Sequence, residues 1–521
     1  MKMRGVIAAS EPHSAEAGVR MLQRGGNAVD AIVAAKFAAT ITELPLTSLG
    51  GGGVCLWGSA DTGYQVLDFF GVVPGVGLDQ PPRLDFSPIT VDFGQTTQIF
   101  HIGKGAVAVP GELVGLLELH RRAGRLPLRD VLAPAVGWAC DGFTVSPQIA
   151  MMAGIIAPIV GWSSSVSRLF YRDGRLVRGG ERLANPALGD FLRALGNGDA
   201  DRQTARFWTS LVDHFGAAHG GLLTTDDVAA YSPVLREPLA IPYGRYTVLT
   251  NPPPAAGGGL IGVGLRLADE RRLGGEGFLS ERHLLRLASL LATVSDFRQS
   301  GGYDDRLRHD PQSVRAMVAD GSHPLLSMPV GGPAADNALG ATTHISVIDG
   351  EGMAATMTTS NGEGCGHALP DLGIHLNNFL GEEDINPDGF HRLPPGTRLS
   401  TMMSPTLVLD GRVPRFALGS GGSNRIRSAI LQALLNLLTY DQPLDAAIAA
   451  ARLHVEGRRL WFERSGLADG AAAALSRHWP ECTPFDTHSM FFGGVNAVAR
   501  IDGGLLGVGD RRRGGVVRFA D

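Results

Sequence analysis

Residues 340–358 read GATTHISVIDGEGMAATMT, and two threonines, Thr342 and Thr343, stand at the head of an alternating pattern. If the stretch is a strand, Thr342, His344, Ser346 and Ile348 face one way and Thr343, Ile345 and Val347 the other. β-Propensity alone accounts for threonines in such a place. Chemistry enters if the peptide bond before Thr342 is cut. A threonine hydroxyl is a weak nucleophile without a neighbouring base, and a free α-amino group on the same residue is a base with a pKa near neutrality. The preceding DNALGA, residues 336–341, has the small, polar, flexible composition of a segment to be strained, cleaved and moved away. The stretch therefore reads as a self-processing site.

The elements that must position these threonines follow from the surrounding pattern. Residues 14–24 read as a helix stopped by Gly25 and Gly26. Ala28–Thr42 reads as a second helix, rich in alanine and buried on most sides. Four glycines, residues 50–53, precede a short strand. No Lys-Ser/Thr follows them, so close backbone approach at a buried turn is favoured over a phosphate loop. Residues 110–300 read as mainly helical, with breaks such as NPPPAAGGG at 251–259. In the last third, Asp349-Gly350, Asp410-Gly411 and Asp502-Gly503 lie between apolar, β-branched runs, which is a hairpin signature. A helix over residues 425–440 carries Ile426, Ile430, Leu434 and Leu438 at a spacing of four. Helices first and antiparallel hairpins later predict a layered α+β architecture.

Composition narrows the function. The chain has 521 residues, 44% hydrophobic and 19% charged, enough for a large core. Its net charge of −5 argues against nucleic-acid binding and offers no basic membrane patch. The start, MKMRGVIAASEPHSAEAG, lacks the apolar run of a secretory signal, and the expected location is the cytoplasm. Cys55, Cys140, Cys365 and Cys482 are widely separated and are expected to be reduced thiols. His344, His367, His375 and His391 match no metal-ligand spacing, so neither metal nor cofactor is expected. Cys365 is weighed as a nucleophile and ranks below Thr342. The run Arg511–Arg513 reads as a solvated turn.

TTHISVIDGEGMAATMT resembles the start of the small subunit in the γ-glutamyltransferase family of N-terminal-nucleophile hydrolases. LQRGGNAVDAIVAA, LGGGG, AVPGELVGLLELH, GGLLTTDDVAAY and NPPPAAGG resemble the family's large-subunit signatures. IHLNN, RLSTMMSPTLVL and LGSGGSNRI resemble its substrate-site and oxyanion loops, in the family's order. The resemblance implies a four-layer αββα sandwich. It implies autocleavage between Ala341 and Thr342 into a large subunit, 1–341, and a small subunit, 342–521, that stay associated as one intertwined unit. A dimer of such heterodimers is a further option. Thr342 would be the nucleophile, Thr358 its supporting hydroxyl, and Gly421 and Gly422 the oxyanion donors. A γ-glutamyl or related acyl group would be transferred or hydrolysed through a threonine ester, with a small amide as partner and neither nucleic acid nor membrane involved.

The substrate pocket departs from the family pattern. A family arginine that clamps the glutamyl α-carboxylate aligns with Phe70 in LDFFGVVPG. A polar family position aligns with Phe379, while Glu382 keeps a carboxylate where the family binds the α-amine. Ser360 stands for a family asparagine, and Ser400 and Thr401 match its paired serines. The stretch between Glu383 and Arg398 is short, as in members lacking a loop over the site. Loss of an arginine–carboxylate clamp costs roughly 2–5 kcal/mol if the carboxylate must still be buried. Either another cation, such as Arg398 or Arg425, replaces it, or the acyl group is more apolar than γ-glutamyl. An acylase on non-glutamyl N-acyl amides is the alternative enzyme. A non-catalytic, uncleaved member is the third reading; Phe70 speaks for it, and the intact Thr342, Thr358, Gly421 and Gly422 speak against it.

Overall fold

The computed structural model describes residues 3–92, 97–300, 302–319 and 341–521. Of the DNALGA segment, only Ala341 lies within the described residues. In chain order the strands of the two main sheets are β1 (Gly5–Ala9), β2 (Gly52–Ser59), β3 (Gly63–Phe69), β4 (Val234–Arg236), β5 (Leu239–Tyr243), β6 (Tyr246–Thr250), β7 (Thr343–Asp349), β8 (Ala354–Ser360), β9 (Thr406–Asp410), β10 (Val413–Gly421), β11 (Gly494–Ile501), β12 (Gly504–Val508) and β13 (Val516–Ala520). The first sheet runs β4-β3-β2-β8-β7-β1-β13 and the second β5-β6-β9-β10-β11-β12. Neighbours in both are antiparallel. The main helices are α1 (Pro12–Gln23), α2 (Ala28–Thr42), α3 (Ala256–Glu270), α4 (Glu281–Ser300) and α5 (Arg425–Leu438).

Buried apolar side chains form three slabs. Phe37 and Ile41 of α2 meet Ile7, Ile345 and Val347 of the first sheet. Val6, Val54 and Ile348 meet Leu407, Ala417 and Val498 between the sheets. Leu260, Leu287 and Ile430 of the outer helices meet Val408 and Leu418 of the second sheet. Helix, sheet, sheet and helix thus stack as the αββα sandwich that the resemblance implies. Burying two-sided sheets this way explains why β7 and β8 are buried along their whole length.

Local chemistry sets the boundaries. The Asn27 side chain caps α2, with Asp30 reaching back to the Asn27 amide at 2.9 Å. Asp502 and Gly503 join β11 to β12 with φ of +50° and +80°, the left-handed pair that a tight hairpin requires. Between β7 and β8, the Asp349 carboxylate accepts the amides of Glu351, Gly352 and Met353 at 2.9, 2.8 and 3.0 Å. Its other oxygen accepts the Ala28 amide at 3.0 Å, tying the hairpin tip to α2. Side chains at residues 50–53 have no room: a Cβ on Gly51 would lie 2.2 Å from the Ser360 carbonyl oxygen. The close-approach reading of these glycines is therefore correct.

Three expectations need correction. The order of helices first and hairpins later fails, because β1 to β3 precede most helices and pair with β7, β8 and β13 from the C-terminal third. Residues 257–259 are not a break: they open α3, and glycine lets that helix sit on the loop after Thr401, where a Cβ on Gly257 would meet the Met402 carbonyl oxygen. The Arg511–Arg513 run is a single 3-10 turn with Arg512 and Arg513 buried. Arg512 pairs there with Glu463 at 2.5 Å and Asp510 at 3.3 Å, partners far away or inconspicuous in sequence.

Candidate active site

Strand β7 is central in the first sheet, with β8 on one side and β1 on the other. Thr342 immediately precedes it and lines a cleft of about 360 Å³, counted to its open mouth. Thr343 points the opposite way. Its hydroxyl donates to Glu43 Oε2 at 2.5 Å, and Ser14 Oγ donates to Glu43 Oε1 at 2.6 Å. Glu43 caps the end of α2, so this buried acid anchors the start of β7 to the outer helical layer. Nothing in the sequence linked Glu43 to Thr343, three hundred residues apart.

On the inter-sheet face, His344 organises a polar row. Its Nδ1 pairs with Thr358 Oγ1 at 2.8 Å, and its Nε2 with Ser346 Oγ and Thr356 Oγ1 at 2.9 and 3.1 Å. Burial holds its pKa down to about 3, so the imidazole is neutral. The absence of a side chain at Gly419 admits the ring, since a Cβ there would lie 2.3 Å from Cε1. Thr358 thus lies across from His344 and is oriented by it; in the uncut chain its hydrogen-bond partner is this histidine.

Gly421 ends β10 against Thr342: a Cβ there would lie 2.2 Å from the Thr342 carbonyl oxygen. Beyond it the chain turns sharply, with φ of +123° at Gly422 and +49° at Ser423. The amides of Gly422 and Ser423 have no acceptor among the described residues.

Both aromatic replacements line the cleft. The Phe70 and Phe379 rings lie 4.5 Å apart, both fully buried. The Asn377 side chain braces this region, accepting the Ala108 amide at 3.0 Å and donating to Gly50 O at 2.8 Å. Met402, Met403, Ile385 and Ile426 complete the apolar wall. Glu382 also lines the cleft; its Oε1 is buried without a hydrogen-bond partner among the described residues, and burial beside Asp384 and Glu363 pushes its carboxyl well above the usual range. Asp384 accepts from Ser423 Oγ on one oxygen and has no partner on the other among the described residues. Thr401 lines this cleft, whereas Ser400 donates to Pro254 O at 2.8 Å and lines only an adjoining outer chamber.

No lysine, arginine or histidine lines the cleft itself among the described residues; Arg298, Arg308 and Arg398 line the adjoining outer chamber, which shares Asp384, Ile385, Thr401 and Met402 with it. Arg398 does not replace the missing clamp. Its guanidinium donates to the carbonyls of Phe70 and Ser232 at 2.8 and 2.7 Å and stacks on Tyr231. Arg425 is buried on the Phe491 ring, donating to the Phe491 carbonyl at 3.2 Å. Cys365 is buried, and its thiol pKa is pushed up to about 12, which removes it as a nucleophile.

The structure brings together Thr342, Ala341, Ser360, Phe70, Phe379, Glu382 and Thr401 around one cleft, with Gly421 against Thr342. The sequence reading missed Glu363. Its Oε1 accepts the Ala341 amide at 2.7 Å, and Ser360 Oγ donates to the Ala341 carbonyl.

A threonine at the head of a central strand in a helix–sheet–sheet–helix sandwich is the arrangement of the N-terminal-nucleophile hydrolases. The chain belongs to the gamma-glutamyltranspeptidase family, whose profile, Gamma-glutamyltranspeptidase, matches residues 14–520. Similar proteins include the Acylase ACY 1 proenzyme of Pseudomonas sp. (strain SE83), 30% identical over 521 residues, covering 97% of this chain and 91% of the relative. The Glutathione hydrolase 5 proenzyme of Rattus norvegicus is 31% identical, covering 87% of this chain and 82% of the relative. The crystal structure of cephalosporin acylase from Bacillus halodurans shares the fold, with a TM-score of 0.78 at 23% identity over 99% of this chain and 96% of that one. The chain is accordingly an enzyme of the transpeptidase and acylase family, which acts on small-molecule amides.

Proposed function

We propose that this chain cuts itself between Ala341 and Thr342, and that the freed Thr342 then acts as an acylase on amides with an apolar acyl group. The observation that carries the substrate reading is the Phe70–Phe379 pair in a cleft with no lining cation among the described residues. An α-carboxylate placed there would lose its hydration without gaining a charge-assisted bond, whereas an alkyl or aryl chain is favoured by about 25 cal/mol per Å² buried. The proenzyme names of the relatives support self-processing.

In this reading the Thr342 α-amine takes the proton of Oγ as it attacks the acyl carbonyl. The amides of Gly422, as expected from the sequence, and of Ser423 are the donors offered to the oxyanion, since Gly421, the other expected donor, lies in the β10–β11 ladder opposite Gly494. The amine leaves, and water or an acceptor amine collects the acyl group. His344 holds Thr358 in place on β8, the strand beside β7.

The test is a comparison of p-nitroanilides on the processed protein. Hexanoyl- or phenylacetyl-p-nitroanilide is expected to give a higher kcat/KM than γ-glutamyl-p-nitroanilide. Ordinary γ-glutamyl turnover with a micromolar KM would overturn the apolar assignment and leave Glu382 as the anchor of a glutamyl α-amine.

A further inference from the structure

We infer that Glu363 is a positioning residue for self-cleavage, acting with Ser360 as a clamp on the residue whose carbonyl is attacked. The inference rests on the self-cleavage reading proposed above. Ala341 is held at both polar groups: its amide donates to Glu363 Oε1 at 2.7 Å, and its carbonyl accepts from Ser360 Oγ. Ser360 ends β8 and Glu363 lies in the loop that leaves it, and that junction is itself pinned. Ser360 Oγ accepts the Gly362 amide at 2.9 Å. Asn378 Oδ1 accepts the amides of Glu363 and Gly364 at 2.9 and 3.2 Å. The two sides of the bond are therefore held by different elements, Ala341 by the loop and Thr342 by its connection to β7.

The N–H and C=O of Ala341 lie in the two peptide planes that flank its Cα, so holding both leaves its φ and ψ little freedom and sets which carbonyl face meets the Thr342 hydroxyl. Such orientation is where an intramolecular attack gains its rate. In the step, the Oγ–C bond forms at the Ala341 carbonyl carbon and the C–N bond to Thr342 breaks. The hydroxyl proton passes to the departing nitrogen, which becomes the free α-amine. Ser360 Oγ donates to the carbonyl oxygen as charge develops on it. Water then hydrolyses the ester, leaving an Ala341 carboxylate and the Thr342 hydroxyl. Glu363 transfers no proton and serves as an acceptor in either protonation state. A fold without this task has no reason to bury a carboxyl here, within the field of Arg513, Asp384 and Arg425, since an apolar residue avoids the desolvation cost.

The experiment follows precursor conversion by intact mass for the full chain and two variants. Glu363→Gln keeps an oxygen acceptor, and Glu363→Leu removes it at similar volume. Wild type and Glu363→Gln are expected to convert within about threefold of each other, while Glu363→Leu slows by at least about 30-fold with an unchanged or raised Tm. Wild-type conversion by Glu363→Leu, or equal slowing in both variants, overturns the clamp. A second measurement does not depend on the cut. In the Thr342→Ala background, Glu363→Leu is expected to speed hydrogen exchange of the Ala341 amide by tenfold or more, on the order of the loss of one buried hydrogen bond; unchanged exchange overturns the clamp. A wild-type chain that stays whole for days overturns the self-cleavage reading, while the exchange experiment still decides whether Glu363 holds Ala341.

Discussion

Strand β7, which Thr342 precedes, and the cleft beside it are adjacent, yet they are built on opposite terms. Along β7 the polar side chains are paired: Thr343 with Glu43, His344 with Thr358 and Ser346, and Ser346 also with Thr356. In the cleft, two phenylalanines pack together, and carboxyl oxygens of Glu382 and Asp384 are buried without partners among the described residues. A fully satisfied network holds one geometry; unsatisfied buried acceptors are costly unless something else meets them. In the proposed reading the strand is thus preorganised for a single chemical step, and the cleft keeps its unspent polar capacity for a ligand.

The sharpest break of this comparison is Thr342→Ala. It removes the attacking oxygen on the strand while leaving the cleft intact. Conversion is expected to stop, and amide hydrolysis to fall by at least about a thousandfold. Intact mass and a p-nitroanilide assay check both. Retained turnover would move the chemistry off this strand.

The next largest effect belongs to the cleft. Phe70→Arg places a guanidinium beside Phe379 and Glu382, and it is expected to shift the γ-glutamyl to hexanoyl ratio of kcat/KM by at least about tenfold toward γ-glutamyl, as a charge-assisted bond of 1.5–3 kcal/mol would. Using the ratio removes any loss of folded protein from the comparison. An unmoved ratio would mean that the Phe70 position does not meet the acyl group.

The two regions also differ in sign with pH. His344 is held near pKa 3 by burial, below its ordinary 6.5. Its contribution to stability is complete above pH 6.5 and is lost as pH falls from 6.5 toward 3, by up to about 1.4 kcal/mol per unit. Glu363 is pushed up by burial to about 8 from an ordinary 4.5. Its contribution is complete below pH 4.5 and is lost as pH rises from 4.5 through 8. Denaturant midpoints across pH 4–9, measured on the uncut Thr342→Ala chain, are expected to fall at both ends. Adding Glu363→Gln should soften the alkaline side alone, and only in part, because burial also raises the carboxyls of Glu382, Glu43 and Glu112. The acid side should soften only in part with His344→Gln, because burial also lowers the pKa of His375 and His454.

Some of this was legible in the sequence and some was not, for physical reasons. The β7–β8 hairpin and Thr342 were legible because a period of two and an Asp-Gly turn are local signals. Helix α2 was legible from its alanine-rich composition, whereas its Asn27 cap went unread. Strand β1, GVIAA, was missed: five residues with no turn signal carry too little pattern, and their partners lie in β7 and β13. Glu363 was silent because GEG resembles any loop, and its meaning depends on Ala341 folding back 22 residues away. The inward turn of Arg512 was invisible for the same reason, since Glu463 is 49 residues distant. Phe70 and Phe379 stood out only against the family pattern. Sequence singles out Thr342; the contacts of Ala341 and the lining of the cleft emerge only from segments distant in the chain.

The smallest expected effect separates two neighbouring threonines. Thr342 and Thr343 differ by one residue, and the strand's alternation sends them to opposite layers. Thr343→Val keeps the shape and loses only the hydroxyl that reaches Glu43. Glu43 retains Ser14, and burial already raises its pKa, so one lost bond does not strand a full charge. The expected cost is about 1–2 kcal/mol in denaturant unfolding of the uncut chain. Conversion should continue, slowed only as far as the start of β7 loosens. A loss of conversion as complete as that of Thr342→Ala, in a chain that still unfolds cooperatively, would show that the anchor on α2 sets the attack geometry and that preorganisation extends through the whole strand into the outer helical layer.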